Sequence, residues 1–160
     1  IVIIELIGEI MKNLERFLQA QEKSYETAYQ EIKNGRKEGH WIWYIFPQIQ
    51  GLGESATSFY YGIQNLNEAK EYLENPILHD RLIEISNALL SLSGKSASEI
   101  LGTLDAIKVR SSMTLFSKAD PNEKVFAKVL EKYYQNELDS KTLEILKSQN
   151  TSSHQKKFSS

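Results

Sequence analysis

The sequence predicts an all-α fold, a single compact multihelical domain of about eight short helices. Three observations carry this reading. Apolar residues recur at helical steps of three and four, most clearly at Leu78, Leu82, Ile85, Leu89 and Leu92. Capping residues and glycine or proline stops divide the chain into pieces with short connections. No two segments alternate apolar and polar residues as a pair of strands would, and no internal repeat is present. A chain of 160 residues is long enough to bury a core without disulfides or metal.

The elements follow in order. Residues 1–10 are apolar but carry Glu5 and Glu9, lack a basic leader region and are too short to span a bilayer. Because Met11 stands just before the first well-patterned segment, residues 1–10 are read as an over-extended reading frame or a fragment edge, the rival being an added helical turn. The domain proper is expected over 11–147. Asn13 can cap a helix to about Ala20, with Leu14, Phe17 and Leu18 on one face. Ser24 can cap the next, in which Tyr25, Tyr29 and Ile32 recur and Gly35 supplies the stop. The run Trp41 to Phe46 is rich in β-formers, but six residues do not separate a strand from a buried helical turn; Pro47 ends it either way.

Ser55 then caps a short helix bearing Phe59 and Tyr60, and Asn67 caps the piece from Glu68 to Glu74. Asn75-Pro76 closes it, and Pro76 suits the first position of the leucine-patterned helix because its missing N–H would be unpaired there anyway. Ser96 and Glu99 form a capping box, and Gly102 ends that piece. Thr103 opens a helix expected to bury Leu104, Ile107, Met113 and Phe116. Asp120-Pro121-Asn122-Glu123 reads as a second capping box, before a helix burying Val125, Phe126, Val129, Leu130 and Tyr133. Asp139 starts a last short helix with Leu143 and Leu146, and residues 148–160, rich in Ser, Lys and Gln, read as a disordered tail.

Composition excludes several functions. A net charge of −2, with acids and bases alternating along most helices, gives no general attraction to nucleic acid or to an anionic membrane, so neither is an expected partner. The absence of cysteine removes disulfides, a thiolate nucleophile and cysteine-ligated zinc. Histidines at 40, 79 and 154 have no metal-ligand spacing, so no metal site is expected. No Gly-x-Ser-x-Gly nucleophile turn occurs. Nothing in the chain directs it out of the cell interior, and the cytoplasm is the expected compartment.

One stretch stands apart, from Gly35 through Lys37, His40, Trp41, Trp43, Phe46, Pro47 and Gln48 to Gly51-Leu52-Gly53-Glu54-Ser55. It holds both tryptophans and four of the eight glycines. The pattern Gly35-x-Lys37-x-x-His40-Trp41-x-Trp43-x-x-Phe46-Pro47-Gln48-x-x-Gly51-Leu52-Gly53-x-Ser55 resembles the signature of the family known as domain of unknown function 1810. Glu68-Ala69-x-x-Tyr72-Leu73, Pro76-x-Leu78-x-x-Arg81-Leu82, Gly102 and Asp105 match further. A second strong block is Lys108-x-x-Ser111-Ser112-Met113-Thr114-Leu115-Phe116, so the resemblance runs from about Leu14 to Leu146. It implies a mainly helical fold and no activity; the calpastatin-like label borne by some members has no counterpart here, since the repeated inhibitor segments are missing. His79 departs from the pattern, which has glycine there, and is not promoted to a site residue on family grounds.

The two blocks hold the residues that could carry chemistry. Trp41 and Trp43 offer flat stacking faces or simply fill the core, and His40 can donate, accept or shuttle a proton near neutral pH. Lys37, Lys108 and Arg110 are the cations for an anionic group, with Gln48, Ser111 and Ser112 to orient a ligand. Lys108, Ser111 and Ser112 share a helix face, and three mid-helix hydroxyls call for a local reason, either a polar pocket wall or buried capping of a neighbour. Asp105 is either the ion-pair partner of Lys108 or the carboxylate that orients His40. Gly51-Leu52-Gly53 lacks phosphate-loop spacing and more simply makes a turn. The expectation is that the blocks meet in one pocket for a small anionic metabolite, phosphate-bearing or nucleotide-like. His40 is then the candidate general acid or base and Asp105 its orienter. The alternative is a non-catalytic module whose aromatic stretch 41–46 binds a protein partner.

Overall fold

In the computed structural model the backbone is described for residues 2–159 and side chains for 14–151. The side chains of residues 1–10, and most of those of the tail, lie outside that range. Nine helices are described: α1 (Val2–Lys33), α2 (Ile42–Ile45), α3 (Ala56–Tyr61), α4 (Leu66–Glu74), α5 (Pro76–Ser91), α6 (Ala97–Leu101), α7 (Thr103–Ala119), α8 (Val125–Tyr134) and α9 (Ser140–Ser159). The described residues contain no strand; a single parallel bridge joins Ile49 to Ile63. The all-α expectation holds.

The core forms around α7. Six successive residues, Ser111 to Phe116, are buried, so this part of the helix is covered on every side. Helices α4, α6, α8 and α9 pack around it, and α5 lies between α1 and α8. A chain of aromatic rings crosses the centre: Phe17 meets Tyr72 edge-on at 5.2 Å, Tyr72 meets Phe116 at 5.2 Å, and Phe116 meets Phe126 at 5.8 Å. The Tyr72 hydroxyl is satisfied by the Gln21 amide, 2.9 Å away.

Several local expectations are met. Ser55 caps α3 by accepting from Ser58 N, Asn75 caps α5 with Pro76 at the first helical position, and Ser96 and Glu99 form their reciprocal capping box. Asp139 accepts from Thr142 N and Thr142 Oγ1 at the start of α9. At the end of α1, Gly35 N donates to Ile32 O and Arg36 N to Glu31 O, the paired bonds of a Schellman stop. That geometry needs Gly35 at φ +78°, where a side chain would be strained.

Others are corrected. The two N-terminal pieces are one 32-residue helix, and Asn13 and Ser24 lie inside it. No glycine or proline interrupts residues 14–33, and Phe17, Gln21, Tyr25, Ala28 and Ile32 make one continuous buried stripe. Ser24 instead accepts a bond from the Tyr44 hydroxyl at 3.1 Å. The cap of α4 is Asn65, not Asn67, whose amide bonds Glu71 along the helix. At 120–123 no capping box forms: Asp120 accepts from Asn122 N, and Lys124 occupies the cap of α8 without a side-chain bond. Leu104 and Ile107 are 73% and 50% exposed, because the buried surface of α7 begins at Ala106 and turns away from them.

This contrast along one helix is testable by urea unfolding. Phe116→Ala should cost about 3–5 kcal/mol by opening a cavity in the ring chain. Leu104→Ala should stay within about 0.5 kcal/mol. Equal losses at the two positions would contradict the packing described.

Candidate functional site

The loop that follows α1 is tied down by one carboxylate. Glu31, in the last turn of α1, accepts from Glu38 N at 2.8 Å, Gly39 N at 2.9 Å and the Trp41 indole N–H at 2.8 Å, all on the same oxygen. Its placement was the available signal. An acid near a helix C-terminus opposes the dipole, so it needs other partners to belong there. Sequence reasoning passed it over. Glycine at 39 is required by close approach: a Cβ would lie 2.9 Å from Trp41 Cδ1.

The two motif blocks meet through Asp105, in the first turn of α7. One carboxylate oxygen lies 2.7 Å from Lys37 Nζ and the other 3.1 Å from Lys108 Nζ. Lys37 also donates to the Gly39 carbonyl and lies over the Trp41 ring at 4.9 Å, with its side chain 7% exposed. Two acceptors and an aromatic ring thus enclose its ammonium, and it acts as a strut between loop and helix. Lys108 sits over the Trp43 ring at 4.4 Å, its side chain 26% exposed. Among the described residues its one hydrogen-bond acceptor is Asp105. Asp105 is therefore the ion-pair partner of both lysines, and neither of its described bonds goes to His40.

Trp43 and Gln48 face a cleft between α2 and α3, whose wall continues through Leu52, Gly53, Ser58 and Tyr61. It has room for about one water molecule. The Gln48 side-chain NH₂ is buried with no partner among the described residues. A buried donor left unpaired costs about 1–3 kcal/mol, so an acceptor in the cleft would offset an existing penalty.

The remaining expected site residues lie elsewhere or in other roles. Trp41, Ile42, Ile45 and Phe46 are core residues, 0–3% exposed, so the stretch 41–46 is no open apolar patch. His40 is exposed, with no side-chain hydrogen bond among the described residues. Arg110, two residues on from Lys108 and on a different face, approaches Glu137 and Asp139 at 3.8 Å each. Ser111 is buried and donates back to the Ile107 carbonyl, while Thr114 donates to Arg110 O and accepts from Asp139 N. Ser112 is 0% exposed and its hydroxyl is unpartnered. Among the described residues no group of three or more acidic or histidine side chains gathers as a metal site. None of the described helices is long and apolar enough to cross a membrane.

Burial alone would raise the Asp105 carboxyl, but hydrogen bonds from Lys37 and Lys108 and their charges hold it below the usual range. For Glu31, burial likewise raises, and the Gly39 and Glu38 amides, the Trp41 indole and Lys37 together outweigh it.

The family described as "Protein of unknown function (DUF1810)" matches residues 11–146. The crystal structure of the conserved hypothetical protein Rv1873 from Mycobacterium tuberculosis is similar at a TM-score of 0.83. The two share 41% sequence identity, over 84% of this chain and 96% of that one. No curated protein matches.

With both folded pKa values depressed, the stability from Glu31 and Asp105 is complete above the ordinary carboxylate range. It is lost as pH falls through that range and below, from about pH 4–5 downward. Melting temperatures taken down to about pH 3 should show this loss. Glu31→Gln with Asp105→Asn should start lower and fall less steeply. Parallel curves for the two proteins would contradict it.

Proposed function

We propose that this chain, which belongs to the DUF1810 family, binds a small phosphate-bearing or nucleotide-like metabolite at the Trp43–Gln48 cleft. The observation that carries this reading is the unpaired, buried Gln48 NH₂ in a cleft whose tryptophan wall lies under a partly exposed lysine. An amide donor, a cation and an aromatic face are complementary to an anionic oxygen attached to a flat or apolar body. The cleft's size makes it a seat for one such oxygen. Lys108 supplies the charge, and the body of the ligand lies against Trp43. Lys37 acts indirectly, because Asp105 ties its ammonium and that of Lys108 to one carboxylate.

His40 is the titratable group this reading assigns to proton transfer. It is exposed, and its neighbours Gly39 and Trp41 are both fixed by Glu31. Asp105 does not serve as its orienter here, its oxygens being engaged by the lysines. The protein-interaction reading loses support from the burial of most of the stretch 41–46.

The test is a thermal-shift panel of inorganic phosphate, nucleotides and sugar phosphates, with tryptophan fluorescence as a second readout. A ligand at a hundredfold excess over its Kd stabilises by about 2.7 kcal/mol. Gln48→Met should abolish the shift while leaving the unliganded melting point equal or higher, because it removes an unpaired buried donor. Lys108→Ala should weaken binding about ten- to 150-fold, in line with loss of a charge-assisted bond of about 1.5–3 kcal/mol. His40→Ala should leave melting and binding unchanged and remove turnover of any ligand that is converted. A blank panel, or a large destabilisation by Gln48→Met, would sink the reading.

A further inference from the structure

A second concavity, a groove of about 520 Å³, lies between α1 and α3. Its one buried side chain is Arg16, 8% exposed. Arg16 Nε donates to the Tyr60 carbonyl at 2.8 Å, and Nη2 donates to the Gly62 carbonyl at 3.0 Å and to Glu68 at 2.9 Å. The remaining nitrogen, Nη1, is buried with no partner among the described residues. The guanidinium also lies over the Phe17 ring at 4.3 Å, and the Nη1 donors are the ones left without an acceptor.

The rest of the lining restricts what that acceptor belongs to. Phe59 and Tyr60 are 68% and 58% exposed on α3, and Tyr60 is held edge-on against Tyr61 at 4.8 Å. Two adjacent exposed aromatic side chains offer faces for a flat partner. Gln19, Gln50 and Gln64 contribute amides, each able to donate and accept. The charge of Arg16 is already matched by Glu68, and Glu15 adds a further carboxylate at the groove. The field therefore disfavours a phosphate and suits a neutral ligand. A phenyl or aliphatic body could cover the rings but would bring no acceptor to Arg16. A neutral heterocycle does both, presenting a face to the aromatics and a carbonyl at its edge.

We propose that this groove binds a neutral planar heterocycle with a ring carbonyl, a nucleobase or nucleoside. The ring stacks on Phe59 or Tyr60, and its carbonyl accepts from Arg16 Nη1. The groove shares Gly62 with the Trp43 cleft but none of its polar side chains, and the proposal does not need that cleft to be occupied.

The test is a nuclear magnetic resonance titration of the full, isotope-labelled chain with uridine and with uridine monophosphate. Uridine should shift the amides of Phe59, Tyr60 and Gln64 and the Arg16 Nε–H resonance saturably. Combined Phe59→Ala and Tyr60→Ala, at exposed positions, should weaken this about tenfold. The monophosphate should bind at these resonances several-fold more weakly, and Glu15→Gln should narrow that gap. Gln48→Met, which empties the other site of its donor, should leave uridine binding here unchanged. The proposal is overturned by an absence of saturable shifts, by an unaffected double variant, or by shifts confined to the Trp43 indole and abolished by Gln48→Met.

Discussion

A helical segment buried around its whole circumference must find partners inside the core for its polar groups, and Ser111 to Phe116 of α7 set that demand on the rest of the fold. Ser111 meets it by bonding back to Ile107. Thr114 bonds to the Arg110 carbonyl and receives the Asp139 amide, so the same hydroxyl fixes where α9 begins. Met113 and Phe116 continue the aromatic and apolar centre from Tyr72 to Phe126. The N-terminal turns of this rigid helix carry Asp105 and Lys108. The tryptophan loop is consequently fastened to the best-packed element of the molecule, and its geometry inherits that rigidity.

What was legible in the sequence follows from the same constraint. Helices with one buried face announce themselves: α5 buries Leu78, Leu82, Ile85 and Leu89 at the spacing that identified it, and its Asn75-Pro76 start is a local matter of backbone bonding. The segment from Ser111 to Phe116 is buried all round, so it has no polar face to give the helix phase. Leu104 and Ile107 were therefore mistaken for the core side, whereas Ser111, Ser112 and Thr114 are buried along with the expected Met113 and Phe116. Capping failed where tertiary contacts chose between adjacent candidates. Asn65 rather than Asn67 caps α4, where Glu68 is held by Arg16 and also accepts the Gln64 amide. The break expected before Ser24 is absent because the stripe from Phe17 to Ile32 packs without interruption.

The site was legible as a set of residue types but not as a division of labour. Lys37 and Lys108 look alike in sequence, yet one is enclosed by Asp105, Gly39 and the Trp41 ring while the other keeps donors to spare. Trp41 and Trp43 divide in the same way, the first into the core with its N–H on Glu31 and the second onto a cleft. Role here is decided by how many partners a group already has. Counting donors against acceptors separates the two, and only coordinates supply that count. Glu31 illustrates the reverse: its sequence position is mildly unfavourable, and three hydrogen bonds to one oxygen explain why it is there.

Helix α3 joins these observations into one argument. It has six residues, too few to be stable alone, so its position depends on how its ends are held. At one end a Cβ on Gly53 would stand 2.9 Å from Ser58 Oγ; at the other, a Cβ on Gly62 would stand 2.8 Å from Gln50 Cβ. The bridge bonds Gln50 N to Ile63 O and Ile63 N to Gln48 O, both 2.8 Å, close the loop just beyond Gly62. Arg16 then holds the carbonyls of Tyr60 and Gly62 from α1. One face of the helix supplies Ser58 and Tyr61 to the cleft, and another supplies Phe59 and Tyr60 to the groove. A short element pinned by two close glycine contacts, a backbone bridge and a buried guanidinium holds side chains on both faces in fixed positions. That is what a wall between two polar-lined concavities requires, and its own helical propensity would not provide it.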